Sequence, residues 1–221
     1  MAELTPDRIF IGLTTYIVLL FSLSFHEAAH AWAALRMGDD TALRAGRISM
    51  NPIVHIDPLG TVLLPLMMFL SAGTPLFGWA KPTPYNPANF RRDRTMAAGH
   101  VTVAGAGPIS NLILALLFTL GLFVYLKLGG EPSRNPAYLI LLAGIHINVV
   151  LALFNLVPLP PLDGSKVAAF GLPRELADTY VRVVEPYGAW ILLILFATGL
   201  LGMVLGPIQS VITGVLLSLA D

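Results

Sequence analysis

Apolar residues in this chain gather in runs too long for the core of a soluble domain, separated by polar and proline-rich stretches. One run covers about residues 9–35, a second about 101–126, a third about 136–157, and a fourth begins near residue 186. Roughly 20 apolar residues at about 1.5 Å each carry a helix across a hydrocarbon layer of about 30 Å, so these runs predict spanning helices. The run at 59–70 falls short of that length and predicts a re-entrant or buried segment. An interruption at Gly206-Pro207 predicts a short separate helix over 208–219. Between the first and second spanning runs, β-branched residues and paired prolines predict extended backbone at 46–58 and 79–88, a small β element at the membrane.

Composition agrees with this pattern. Charged residues make up only 12% of the 221 residues, against roughly 25% in ordinary soluble domains. The reading is an all-α integral membrane protein: one polytopic helical bundle over residues 1–221, with a core at about 9–170 and C-terminal helices at about 186–219. The lipid bilayer is its surroundings. Net charge is zero, with no basic patch to attract nucleic acid, and there is no cysteine. Any metal must therefore be held by His, Asp or Glu.

The first apolar run contains His26-Glu27-Ala28-Ala29-His30. On a helix His26 and His30 lie about 40° apart around the axis, so both imidazoles can reach one ion. Glu27 sits beside them, where a carboxylate can take a proton from a metal-bound water without being a ligand, as in zinc peptidases with this spacing. Ionisable residues inside a membrane helix are costly and mark function. Two histidines are too few for a catalytic zinc, which usually takes three protein ligands and keeps one position open. Asp163, next to Gly164 in the proline-rich loop after the third run, is the natural third.

Charge distribution tests whether Asp163 can reach the histidines. If 59–70 is re-entrant, one side carries Arg36, Arg44, Arg47, Lys81, Arg91, Arg92, Arg94, Lys166, Arg174 and Arg182, and the other only Arg8, Lys127 and Arg134. Positive charge concentrates on the cytoplasmic side of membrane proteins. The re-entrant arrangement thus predicts that the end of the first helix and the Asp163 loop share the cytoplasmic side.

Three motifs in order then resemble the site-2 protease family of intramembrane zinc metalloproteases: His26-Glu27-Ala28-Ala29-His30, Ala106-Gly107-Pro108-Ile109-Ser110-Asn111, and Asn155-Leu156-Val157-Pro158-Leu159-Pro160-Pro161-Leu162-Asp163-Gly164. The likeness is to compact members without PDZ or CBS domains. It implies Zn2+ bound by His26, His30 and Asp163, Glu27 as general base, and Asn155 as a polar group for substrate or oxyanion. The implied protein is a multi-pass enzyme of the cell membrane, opening to the cytoplasm and cleaving transmembrane segments of membrane proteins. A substrate-binding relative without protease activity, or a transporter with a metal site, is the alternative. Asn111 reads as an interhelical bonding group and His146 and Asn148 as packing or interhelical bonding groups, His55 and Asp57 as parts of a polar loop, and His100 as an interfacial residue.

Overall fold

A computed structural model describes residues 5–72, 78–93, 95–132 and 135–220. Arg94, Arg134 and the sequence break after residue 72 lie outside the described residues. Helix α1 (Pro6–Arg36) opens at Thr5, whose hydroxyl accepts the Arg8 N–H at 3.4 Å, with Pro6 in the first turn. A proline is well placed there because that N–H has no helical partner anyway. The chain leaves α1 through Gly38, whose φ of +102° suits glycine, and returns so that the Arg91 N–H donates to Met37 O at 2.7 Å. A single turn, α2 (Thr41–Arg44), follows.

The next apolar segment winds as a π-helical turn over Pro58–Leu63 and continues as α3 (Leu64–Ala72). From Pro58 to Ser71 it is helical, about 21 Å at the usual rise, and so too short to cross a bilayer. It lies against the N-terminal half of α1, where a Cβ on Gly12 would collide with the Phe69 ring. Helix α4 (Met96–Lys127) is capped by Thr95, which accepts the Ala98 N–H at 3.1 Å, and α5 (Pro136–Asn155) by Asn135, which accepts the Ala137 N–H at 2.9 Å. Four shorter or peripheral helices complete the chain: α6 (Asp163–Gly171), α7 (Arg174–Val183), α8 (Gly188–Ala197) and α9 (Leu200–Ser218).

Helix α4 is the hub, packed against α5, α1 and α6, while α9 packs against α5 and, less extensively, α4. Ala115 and Leu122 of α4, Ile145 and Val149 of α5 and Leu216 of α9 form one apolar cluster. Leu19 and Leu23 of α1 join Leu151 of α5 in another, and Ala33 and Ala34 of α1 meet Val103 of α4 in a third. The outer face of α4 carries Ile109, Ile113, Leu116, Leu117 and Leu120, each 52–58% exposed. Spaced at helical intervals, they form a continuous apolar stripe that suits lipid rather than water. Among the described residues α1, α4, α5 and α9 are long and apolar enough to cross a membrane, and α7 with α8, bent by 67°, would add a fifth span. This is an all-helical membrane protein.

The small β element is not there: no strand occurs among the described residues. Asn51 accepts the Ile53 N–H and turns Pro52–His55 into a 3-10 helix, and Asp57 accepts the N–H groups of Leu59 and Gly60 to start the π-helical turn. Residues 78–86 form no regular element and make two cross-bonds, Trp79 N–H to Gly60 O at 3.2 Å and Lys81 N–H to His55 O at 2.8 Å. A ladder cannot continue, because Pro82 and Pro84 have no N–H and that of Thr83 goes to Glu27. The C-terminal break also moves. Helix α9 runs through Gly206-Pro207, and the chain breaks instead at Gly199, whose left-handed φ of +74° ends α8.

Candidate metal centre

Helix α1 brings His26 and His30 to the seam with α4, their Nε2 atoms 3.0 Å apart. The third group comes from the loop after α5. This loop closes on itself, with the Leu162 N–H donating to Leu159 O, and delivers Asp163 as the first residue of α6. Gly164 is required beside it, since a Cβ there would collide with the backbone of Leu156 and Val157. Asp163 Oδ2 lies 3.1 Å from His26 Nε2 and 3.0 Å from His30 Nε2. Its place in the first turn of α6 favours a negative charge. All three residues are buried, at 4%, 7% and 8% exposure for His26, His30 and Asp163.

The other ring nitrogens explain what this triangle needs. His30 Nδ1 lies 2.7 Å from the backbone oxygen of Val103, and His26 Nδ1 lies 2.7 Å from Asn111 Oδ1. Both partners accept, so both Nδ1 atoms carry hydrogen, and a neutral imidazole then presents its Nε2 lone pair. Two lone pairs and a carboxylate oxygen thus converge at 3.0–3.1 Å and require positive charge between them, a proton or a metal ion.

The donor set fits zinc. Tetrahedral ligands about 2.0–2.2 Å from zinc lie about 3.3–3.6 Å from one another, about half an ångström or less beyond the triangle's 3.0–3.1 Å. Helix α4 leaves room for the ion by having no side chain there: a Cβ on Gly107 would collide with His30 Nε2 and with Cε1 and Nε2 of His26. Lys166 Nζ is 4.0 Å from Asp163 Oδ1, the oxygen not shared with the histidines.

Glu27 stands beside the triangle, with a carboxylate oxygen within 4.8 Å of the ligand nitrogens of His26 and His30. Its Oε2 accepts the Thr83 N–H at 2.8 Å, while the Thr83 hydroxyl donates to Glu27 O at 3.0 Å. Asn155 ends α5 and donates from its side-chain amide to Leu151 O at 3.0 Å; among the described residues no bond joins it to the triangle. His55 Nε2 faces Ser49 O at 2.8 Å and Asp57 caps a turn, as expected of a polar loop. His100 stacks on Phe170 at 4.0 Å and faces the Tyr85 hydroxyl. Among the described residues His146 bonds no other helix: it is exposed, with Nδ1 facing Leu142 O of its own helix. Sequence reasoning missed the parts played by Asn111, Thr83 and Gly107. Only Asn111 carried a usable signal, a fully polar side chain inside an apolar span.

Comparison with known proteins gives this centre its setting. The chain is 39% identical over 208 residues to YwhC of Bacillus subtilis, named as a candidate zinc metalloprotease, an alignment covering 90% of this chain and 88% of YwhC. The chain belongs to this family of zinc metalloproteases. Rip2 of Mycolicibacterium smegmatis, a second protein named in that way, is 28% identical over 77% of this chain and 60% of its own length. A third, MJ0611 of Methanocaldococcus jannaschii, is 40% identical over a shorter stretch, 29% of this chain and 31% of its own length. No family model matches the chain, and no solved structure does. The family supplies the reaction class, hydrolysis of peptide bonds, and the cofactor of this metalloprotease, zinc. The buried His26, Glu27 and His30 group is suited to such an ion.

Proposed function

We propose that this metalloprotease is an intramembrane endopeptidase of the site-2 type in its compact form, with zinc held by His26, His30 and Asp163 and with Glu27 as general base. The observation that carries the reading is the convergence of His26 Nε2, His30 Nε2 and Asp163 Oδ2 at 3.0–3.1 Å, with Glu27 beside them, inside a bundle of apolar helices. The substrate is a transmembrane segment of another membrane protein. The enzyme is a multi-pass protein of the cell membrane, and its site opens to the cytoplasm, the side on which the basic residues of the chain concentrate.

Bound zinc supplies Lewis acidity, polarising the scissile carbonyl and making water acidic enough to attack near neutral pH. Glu27 takes the proton of the attacking water and passes it to the leaving nitrogen. The Thr83 N–H occupies Glu27 Oε2, which leaves Oε1 as the basic oxygen. Asn155 serves as a polar group for the substrate backbone from the end of α5. Burial of the site keeps bulk water from competing for these hydrogen bonds.

Cleavage of a membrane-segment reporter by purified protein in liposomes tests this reading. Glu27→Gln is expected to lower the rate by about 10³-fold, within the usual range for a general base, while keeping stoichiometric zinc. Chelation is expected to abolish cleavage. A Glu27→Gln protein that cuts as fast as the native one would remove Glu27 from the reaction, and a zinc-loaded native protein that cuts none of a broad panel of segments would overturn the protease reading.

A further inference from the structure

The bond from His26 Nδ1 to Asn111 continues inward as a relay through buried amides. Asn111, on α4, places Nδ2 2.9 Å from Asn148 Oδ1 on α5. Asn148 Nδ2 in turn lies 2.8 Å from Gly144 O and 2.9 Å from Ser22 Oγ on α1. Ser22, Asn111 and Asn148 all have 0% exposure, so bulk solvent reaches none of these partners. The relay runs through all three central helices and ends on α1 one turn before the histidine where it began.

Its direction is fixed at the far end. The Gly144 carbonyl can only accept, so the Asn148 amide must turn Nδ2 toward it and Oδ1 toward Asn111. Asn111 must then offer Nδ2 to Asn148, leaving Oδ1 for His26. An oxygen at that position requires hydrogen on His26 Nδ1 and leaves the lone pair on Nε2. Outer partners of ligand histidines commonly set the tautomer in this way and are worth about 10–100-fold in metal affinity. The two histidines differ in what sets them: His30 faces a backbone carbonyl, which no substitution removes, whereas His26 depends on two side chains.

We infer that Asn111 and Asn148 are positioning residues for zinc, transmitting the polarity of the Gly144 carbonyl to His26 and holding its Nε2 lone pair toward the ion. The inference rests on the ligand set proposed above. Without Asn148, only the long 3.5 Å contact of Asn111 Nδ2 with the Ser22 carbonyl opposes rotation of the Asn111 amide, which can then place Nδ2 against His26 and favour hydrogen on Nε2, excluding the metal. The substitution Asn111→Asp keeps an acceptor oxygen for the hydrogen on His26 Nδ1, whereas Asn111→Leu leaves none.

The test measures zinc affinity of the full-length protein in detergent by competition with a chelator, with thermal unfolding as a check on folding. Asn148→Leu and Asn111→Leu are expected to weaken zinc binding by about 10–100-fold, and Asn111→Asp to stay within about threefold of native. A folded Asn148→Leu protein with native affinity overturns the inference. So does an Asn111→Asp protein that loses as much as Asn111→Leu, which would make the role one of packing alone. If Asn148→Leu does not fold, the Asp and Leu variants at 111 decide. Failure of the ligand set itself reads differently, as native affinity in His26→Ala. Because no step depends on cleavage, the outcome stands apart from that of the protease assay.

Discussion

The seam between α1, α4 and α5 and the C-terminal pair α8 and α9 occupy the same apolar chain and follow opposite rules. In the seam Ser22, Asn111 and Asn148 are fully buried and bonded to one another, and the charged groups gather around one point. In the C-terminal pair the surface is made of large apolar groups, with Trp190, Met203 and Val211 between 66% and 72% exposed. An unpaired polar group costs several kcal/mol in hydrocarbon, so polar residues persist at depth only where partners surround them. The seam spends its sequence on specific bonds, and α8 and α9 need only be apolar and helical. Sensitivity to substitution should therefore divide sharply between the two.

The largest effect is expected from the smallest change in the seam. Alanine normally favours a helix over glycine by about 1 kcal/mol, yet Gly107→Ala puts a methyl group where His26 and His30 converge. Zinc retained after purification, measured by mass spectrometry of the metal, should fall at least tenfold while helical circular dichroism persists. Retention of a full equivalent of zinc would mean that the ion sits elsewhere.

An intermediate effect lies at the polar end of α1. Asp39 is fully buried and accepts from Thr41 Oγ1, Thr41 N–H, Asn86 N–H and Asn89 Nδ2. Burial pushes its carboxyl up, but these donors outweigh it and hold it below the usual range. A carboxyl with a depressed folded-state pKa contributes stability that is complete above its unfolded value of about 4 and lost as pH falls through the lower folded value. Between pH 6 and pH 3 the native protein should therefore lose more of its Tm than Asp39→Asn, as read by thermal melts in detergent. Equal losses would take Asp39 out of the acid response. The smallest effect belongs to α9: Val211→Ala, on the exposed face, should leave cleavage within about twofold and stability within about 0.5 kcal/mol, as usual for surface changes.

What could be read from the chain alone follows from the range over which each feature is determined. His26, Glu27 and His30 were legible because one turn of helix sets their relation, and Asp163 because the distribution of Arg and Lys put its loop on their side. Asn111 and Asn148 were visible as polar residues in apolar spans, but interhelical glue and a relay to a ligand look alike until three helices are assembled. The β element was misread for a related reason. A non-helical stretch at 78–86 was legible, whereas the destination of the Thr83 N–H, a carboxylate on α1 rather than a strand, depends on tertiary contact. At the C-terminus Gly206-Pro207 looked like a stop, yet a proline costs a helix one backbone bond, while Gly199 turns the chain through a left-handed residue.

The grip on Glu27 has a consequence for how this protein can drift over generations. The group that holds its carboxylate is the main-chain N–H of position 83, so the bond is encoded in the route of the chain and not in the identity of one side chain. Any residue with a main-chain N–H can make that bond, and only proline, which has none to offer, would release the carboxylate.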